Sequence, residues 1–131
     1  MKNNTFSILA VSLLFILGYG CQEYNSEQQQ LWDEVMVVHD EVMPKMGELH
    51  QLKKQLAQQE TSPQVTTAIQ RVETAQEAMM DWMRNFKSLR ELSKIDHTEA
   101  MDYLEKEQRR IAEVKRLMLT SIEKGNALVK K

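Results

Sequence analysis

Apolar residues recur at positions 31, 35, 38, 42, 46, 49, 52 and 56, in steps alternating near three and four. That period puts them on one face of a helix with a heptad flavour, and predicts a first helix over about 28–59. A second stripe, Val65, Ala68, Val72, Ala75, Met79, Trp82, Phe86 and Leu89, predicts a helix over about 63–92. A third runs through Leu104, Ile111, Val114, Met118, Ile122 and Val129, predicting a helix over about 97–129.

The punctuation agrees with the stripes. Ser62 can cap the second helix, and Pro63 suits its first position, where no backbone donor is needed. Asp96 with Glu99 makes a capping-box-like start to the third, and Ile95 with Ala100 forms its hydrophobic staple. Three helices of about 30 residues, each roughly 45 Å long and joined by short loops, lie antiparallel. The expected fold is therefore all-α: a long antiparallel up-down-up three-helix bundle. Pro44 falls inside the first stripe, where it removes a donor and clashes with the Asp40 carbonyl, so the first helix is expected to kink there. Helix starts repeat about every 34 residues, but tetratricopeptide units need two helices per period and this chain has one.

The first twenty residues follow a different pattern. Lys2 precedes an apolar run from Phe6 to Leu17, and small residues lead to Cys21, the only cysteine. A run of twelve residues is too short for a membrane span, which takes about 20, and the layout is that of a signal peptide, here over 1–20. Leu17-Gly18-Tyr19-Gly20-Cys21 resembles the lipobox of a bacterial lipoprotein, although Gly18 and Tyr19 depart from its usual Leu and small residue. Lipidation at Cys21 would convert the thiol to a thioether and leave no cysteine for disulfides or catalysis. Two or three acyl chains, at about 0.8 kcal/mol per buried methylene, give a stable anchor. Residues 21–27 form a polar tether, and 28–131 the helical domain.

The processed chain carries 16 basic and 19 acidic residues, a near-neutral balance that argues against nucleic acid as a partner. Arg109, Arg110, Lys115 and Arg116 make a mild basic patch that reads chiefly as a solvated face. Glu41–Lys45 and Glu105–Arg109 have the spacing of helix-supporting pairs.

Eight methionines remain after processing. On the first helix Trp32, Met36, His39, Met43, Met46 and His50 form a strip along the edge of the apolar face. A turn centred near residue 60 brings this strip level with AMMDWMRNF (78–86), placing His39 opposite Trp82. The methionines read first as adaptable core filler against Trp82, Phe86 and Trp32, since thioethers pack irregular gaps and contact rings favourably. The sharper alternative is copper: thioether sulfur and imidazole are soft ligands, and His39, Met43, Met46, Met80 and Met83 are the candidate metal ligands. Otherwise no cofactor is expected. The chain has no Glu-x-x-His pair, no His-Glu-x-x-His and no Gly-rich phosphate loop, so no catalytic residue is assigned and an enzyme is not expected.

The segments LWDEVMVVHDEVMPKMGELHQLKKQL, AMMDWMRNF, YLEKEQRRIAEVK and SIEKG resemble small uncharacterised lipoproteins of Bacteroidota, sometimes labelled viral A-type inclusion proteins. The resemblance implies an exported, helical, lipid-anchored protein with no assigned activity, and transfers no binding residue. The expectation is thus a non-enzymatic envelope protein, anchored to a membrane (the outer membrane favoured) with its domain in the periplasm or at the cell surface. It would bind or scaffold another envelope protein or self-associate.

Overall fold

The computed structural model describes residues 26–129, and all of its regular structure is helical. Helix α1 spans Ser26–Val42, α2 Lys45–Ala57, α3 Pro63–Asn85, α4 Leu89–Leu92 and α5 His97–Asn126. Helices α1 and α2 are the two limbs of a first helix kinked at Pro44. The Met43 amide still reaches the His39 carbonyl at 2.8 Å, and Pro44 keeps helical dihedrals (φ −60°, ψ −25°). Beyond it the chain tightens: Met46 N–H donates to the Met43 carbonyl at 3.1 Å and Gly47 N–H to that of Pro44 at 3.3 Å. Shorter-range bonds of this kind are how a helix passes a residue without an N–H.

The second predicted helix is shorter than expected. It ends at Asn85, Phe86 leaves it in an extended conformation (ψ 127°), and α4 follows as a separate turn. Two local devices account for the break. The Tyr103 hydroxyl accepts from Lys87 N–H at 2.8 Å and donates to the Asn85 carbonyl at 3.2 Å, satisfying backbone groups that helix continuation would have paired. Ser88 and Glu91 form a capping box that starts α4. The carboxylate accepts from Ser88 N–H at 2.8 Å and Oγ at 2.7 Å, and these bonds hold the Glu91 carboxyl below its usual range. The expected box at Asp96 and Glu99 is not formed; Asp96 instead accepts from Thr98 N–H at 2.9 Å. At the other turn the Ser62 cap is as expected, with Oγ accepting from Val65 N–H at 3.2 Å.

The main core cluster joins the buried stripes of α1 (Val35, Val42), α2 (Leu49, Leu52, Leu56), α3 (Val72, Ala75, Met79, Trp82) and α5 (Ile111, Met118). A smaller one gathers Leu92, Ala100 and Leu104 under Leu31, Trp32, Phe86, Ile95 and Tyr103. Cross-helix contacts fix the registers. Gln108 donates to Glu34 and Lys115 to Glu41, both 74 residues apart, so numbers rise together along α1 and α5. His39 meets Trp82 and Lys53 meets Glu73, so numbers fall along α3 as they rise along α1 and α2. The expected Glu41–Lys45 pair gives way to these longer reaches: Glu41 goes to Lys115 at 2.6 Å and Lys45 to Glu48 at 2.8 Å. No ion pair joins Glu105 to Arg109 among the described residues.

The two glycines of this region have opposite surroundings. A Cβ at Gly125 would lie 2.6 Å from Leu52 Cδ2, a side chain buried in the core, whereas one at Gly47 would meet nothing within 4 Å. Gly125 therefore permits the close approach of α2 and α5. Gly125→Ala is expected to lower stability by about 1–3 kcal/mol through overpacking, partly offset by helix propensity. Gly47→Ala is expected to raise it by roughly 0.5–1 kcal/mol. Urea unfolding of the two variants checks both signs.

Candidate functional site

The strip singled out by sequence lies where the kink of the first helix faces the C-terminal end of α3. Its centre is aromatic. Trp82, only 2% exposed, stacks on the His39 ring at a centroid distance of 5.5 Å and on Phe86 at 4.6 Å. Phe86 also meets Trp32 at 5.9 Å and Tyr103 at 6.3 Å. Offset ring pairs at such distances contribute about 0.5–1.5 kcal/mol each beyond area burial. The Trp32 indole N–H donates to the Lys87 carbonyl at 3.2 Å, and Lys87 Nζ lies 4.4 Å from the centre of the Tyr103 ring. The element that leaves α3 is thus held from both α1 and α5.

The five candidate ligands are distributed over three environments. His39 is half-buried, its ring covered by Trp82 on one face and its Nδ1 2.9 Å from Asp40 Oδ1. Met46 and Met83 pack against the main core, as does Met36. Met43, at the kink, and Met80, on the outer side of α3, are exposed at 37% and 40%. The fully buried methionines are Met79 and Met118, neither of them among the candidates. His50 is exposed, one and a half turns beyond the kink. The group that meets His39 across the helices is therefore the indole of Trp82. Among the described residues no three His, Cys, Asp or Glu side chains gather in a way that could hold a metal ion. Cys21 lies outside the described residues.

Comparison with protein-family models, curated proteins and solved structures finds no match. Nor is any helix among the described residues long and apolar enough to cross a membrane.

Three buried polar residues were not picked out from the sequence. Gln28, Glu107 and Ser121 are 5%, 1% and 5% exposed. The period itself contains their signal: Glu107 falls midway between Leu104 and Ile111, and Ser121 lies three residues past Met118. An expectation that fills such stripes with apolar residues passes over them. Ser121 donates to the Arg71 carbonyl at 3.1 Å, tying α5 to α3. Glu107 Oε1 accepts from Arg110 Nη1 at 2.8 Å, while its Oε2 and the Trp82 indole N–H have no hydrogen-bond partner. The Tyr103–Asn85 bond sets these two orphans in one layer, since Glu107 is one turn on along α5 and Trp82 nearly one turn back along α3.

Burial pushes the Tyr103 phenol up from its ordinary value. The neutral hydroxyl is the form that bridges Asn85 and Lys87.

Trp82→Ala should cost about 3–5 kcal/mol, because it opens a cavity between α1, α3 and α5 and strips the faces of His39 and Phe86. Trp82→Phe leaves no indole N–H orphan and keeps the stack, so its loss should be well below that of the alanine variant. Thermal unfolding by circular dichroism checks the order.

Proposed function

We propose that this chain is a non-enzymatic, lipid-anchored helical envelope protein, a binding or scaffold module whose bundle presents its outer faces to another envelope component. Its architecture is an up-down-up bundle in which α1 and α2 form the first, kinked arm, α3 the returning arm and α5 the third. The register supports this, with residue numbers rising together on α1 and α5 and falling on α3.

The observation that carries the reading is the junction of two unlike segments. An apolar run closed by Cys21, and a polar stretch after it, lead directly into helices whose aromatic and most apolar side chains are engaged in packing. Such a layout suits a body held at a membrane by a lipid and acting through its surface. The resemblance to small Bacteroidota lipoproteins points the same way, with the outer membrane as the favoured anchor.

Two measurements test it. Labelled palmitate should enter the chain, globomycin should block processing, and Cys21→Ala should abolish both effects; labelling that survives the substitution refutes the anchor. Crosslinking in intact cells followed by purification should recover one envelope protein in constant proportion to the chain, or a second copy of it. Repeated recovery of the uncrosslinked monomer refutes the scaffold.

The second reading is a copper module, and the placement of His39 beside the kink, with Met43 exposed one turn further on, favours its being tested. Soft ligation would require Met43, Met46, Met80 and Met83 to turn toward the imidazole. Competition for Cu(I) between the full chain and a chelator should then show binding that His39→Ala with Met43→Leu removes. Affinity at the chelator background, or unchanged in the variant, eliminates copper.

A further inference from the structure

Charge is distributed unequally along the bundle axis. The half that contains Ser26, comprising residues 26–42 and 79–108, holds twelve acidic and five basic side chains. The opposite half, residues 43–78 and 109–129, holds six acidic and nine basic. A chain near neutrality as a whole thus carries a negative end and a positive end.

Within the positive half, a groove runs between α3 and the last third of α5. Two contiguous depressions share Thr67, Arg71 and Lys124. One continues past Thr74 and Thr120 over Leu117, and the other opens onto Pro63, Ala127 and Leu128. Arg71 and Lys124 come from different helices and make no ion pair among the described residues, in contrast to Lys45, Lys53, Arg84, Arg110, Lys115 and Arg116. No carboxylate lines either depression. The next groove along the same two helices is different: its cations share the walls with Asp81 and Glu113. Two like charges facing one cleft without a counter-charge focus a positive potential there, and an anion relieves it. Arg71 supplies a planar fork for a carboxylate or phosphate, and Lys124 a point charge beside it.

The other lining groups narrow the ligand further. Uncharged donors and acceptors (Thr67, Gln70, Thr74 and Thr120) flank the two cations, with small apolar surfaces at Leu117 on one side and Pro63 on the other; a third cation on the wall, Arg116, is already held by Glu113. Hydroxyl and amide groups around a charged fork, over short apolar strips, complement a sugar ring that carries an acid. We propose that this groove binds an acidic saccharide, with Arg71 and Lys124 holding its carboxylate or phosphate. The site is built from described helices alone and does not depend on the anchor at Cys21. It lies at the end remote from Ser26, roughly 36 Å along α5 from Ala100 at 1.5 Å per residue.

Calorimetric titration of the full chain in detergent micelles tests the proposal with four probes: an alginate hexamer, glucose 6-phosphate, neutral maltohexaose and hexaglutamate. The alginate hexamer or glucose 6-phosphate should bind at least tenfold more tightly than maltohexaose and hexaglutamate. Arg71→Gln with Lys124→Gln should weaken that binding at least tenfold, and Lys54→Gln with Arg109→Gln, the same charge removed outside the groove, less than twofold. All four residues are exposed, and unchanged melting of the variants confirms an intact fold. Equal binding of hexaglutamate or maltohexaose, no binding of either acidic sugar, or equal losses in the two double variants overturns the proposal.

Discussion

The thirty-residue helix α5 keeps one face dry from Ala100 to Gly125, and the other long helices take their places against it. Burial of that face is the constraint from which the rest follows, since in a body of this size the apolar stripe contributes most of the folding free energy. It sets the offset between α1 and α5, and it packs α3 against the same helix. It also explains the kink. Leu49, Leu52 and Leu56 must stay on the core after Pro44 has interrupted the helix, and the shorter-range bonds of Met46 and Gly47 keep the two limbs in phase. At the far end the stripe closes on a glycine, because Leu52 occupies the space that a side chain at residue 125 would need.

A second demand competes with the first around Phe86. The helix α3 could have continued to Leu92 on pattern alone, yet it stops after Asn85. Trp82, Phe86, Trp32 and Tyr103 pack as a cluster of rings, and the extended conformation of Phe86 turns its ring into that cluster. Tyr103 then compensates the backbone with hydrogen bonds on both sides of the break. Leu92, released into its own short turn, becomes the centre of the smaller core with Ala100 and Leu104. One aromatic cluster thus ends one helix and founds a second apolar cluster.

Much of this was legible in the residue pattern, and the exceptions share a cause. Periodicity reports which face of a helix is buried, so the stripes of α1, α2, α3 and α5, the Ser62 cap and the kink at Pro44 could all be read in advance. So could the pairing of His39 with Trp82, because a short turn near residue 60 fixes the register of its flanking helices. What periodicity does not report is the competition between neighbouring elements. The end of α3 depends on Tyr103, sixteen residues beyond Lys87, and the partner of Glu41 is Lys115, 74 residues away. Local pairs such as Glu41–Lys45 were reasonable by spacing, but they contribute only a few tenths of a kcal/mol and yield to any better-placed charge. Glu107 was hidden for another reason, since a carboxylate in a buried stripe contradicts the residue preferences from which such stripes are recognised.

The same competition bears on the strip of histidine and methionines. Thioethers and imidazoles at helical spacing are equally suited to filling a core and to holding a soft metal, and spacing cannot separate the two uses. In the folded chain the methionines divide: Met46 and Met83 pack against the core, Met43 and Met80 are exposed, and one face of the His39 ring is covered by an indole. A metal at this place would need Met46 and Met83 to leave their packing and turn toward the in-plane nitrogens of His39, one of which already lies beside Asp40. An anion in the α3–α5 groove asks for no such rearrangement, because the exposed Arg71 and Lys124 already face the same cleft with no acid between them. Where a packed interior and an open surface both offer ligand chemistry, the surface binds without repacking, and in this groove Arg71 and Lys124 stand without a carboxylate on the walls.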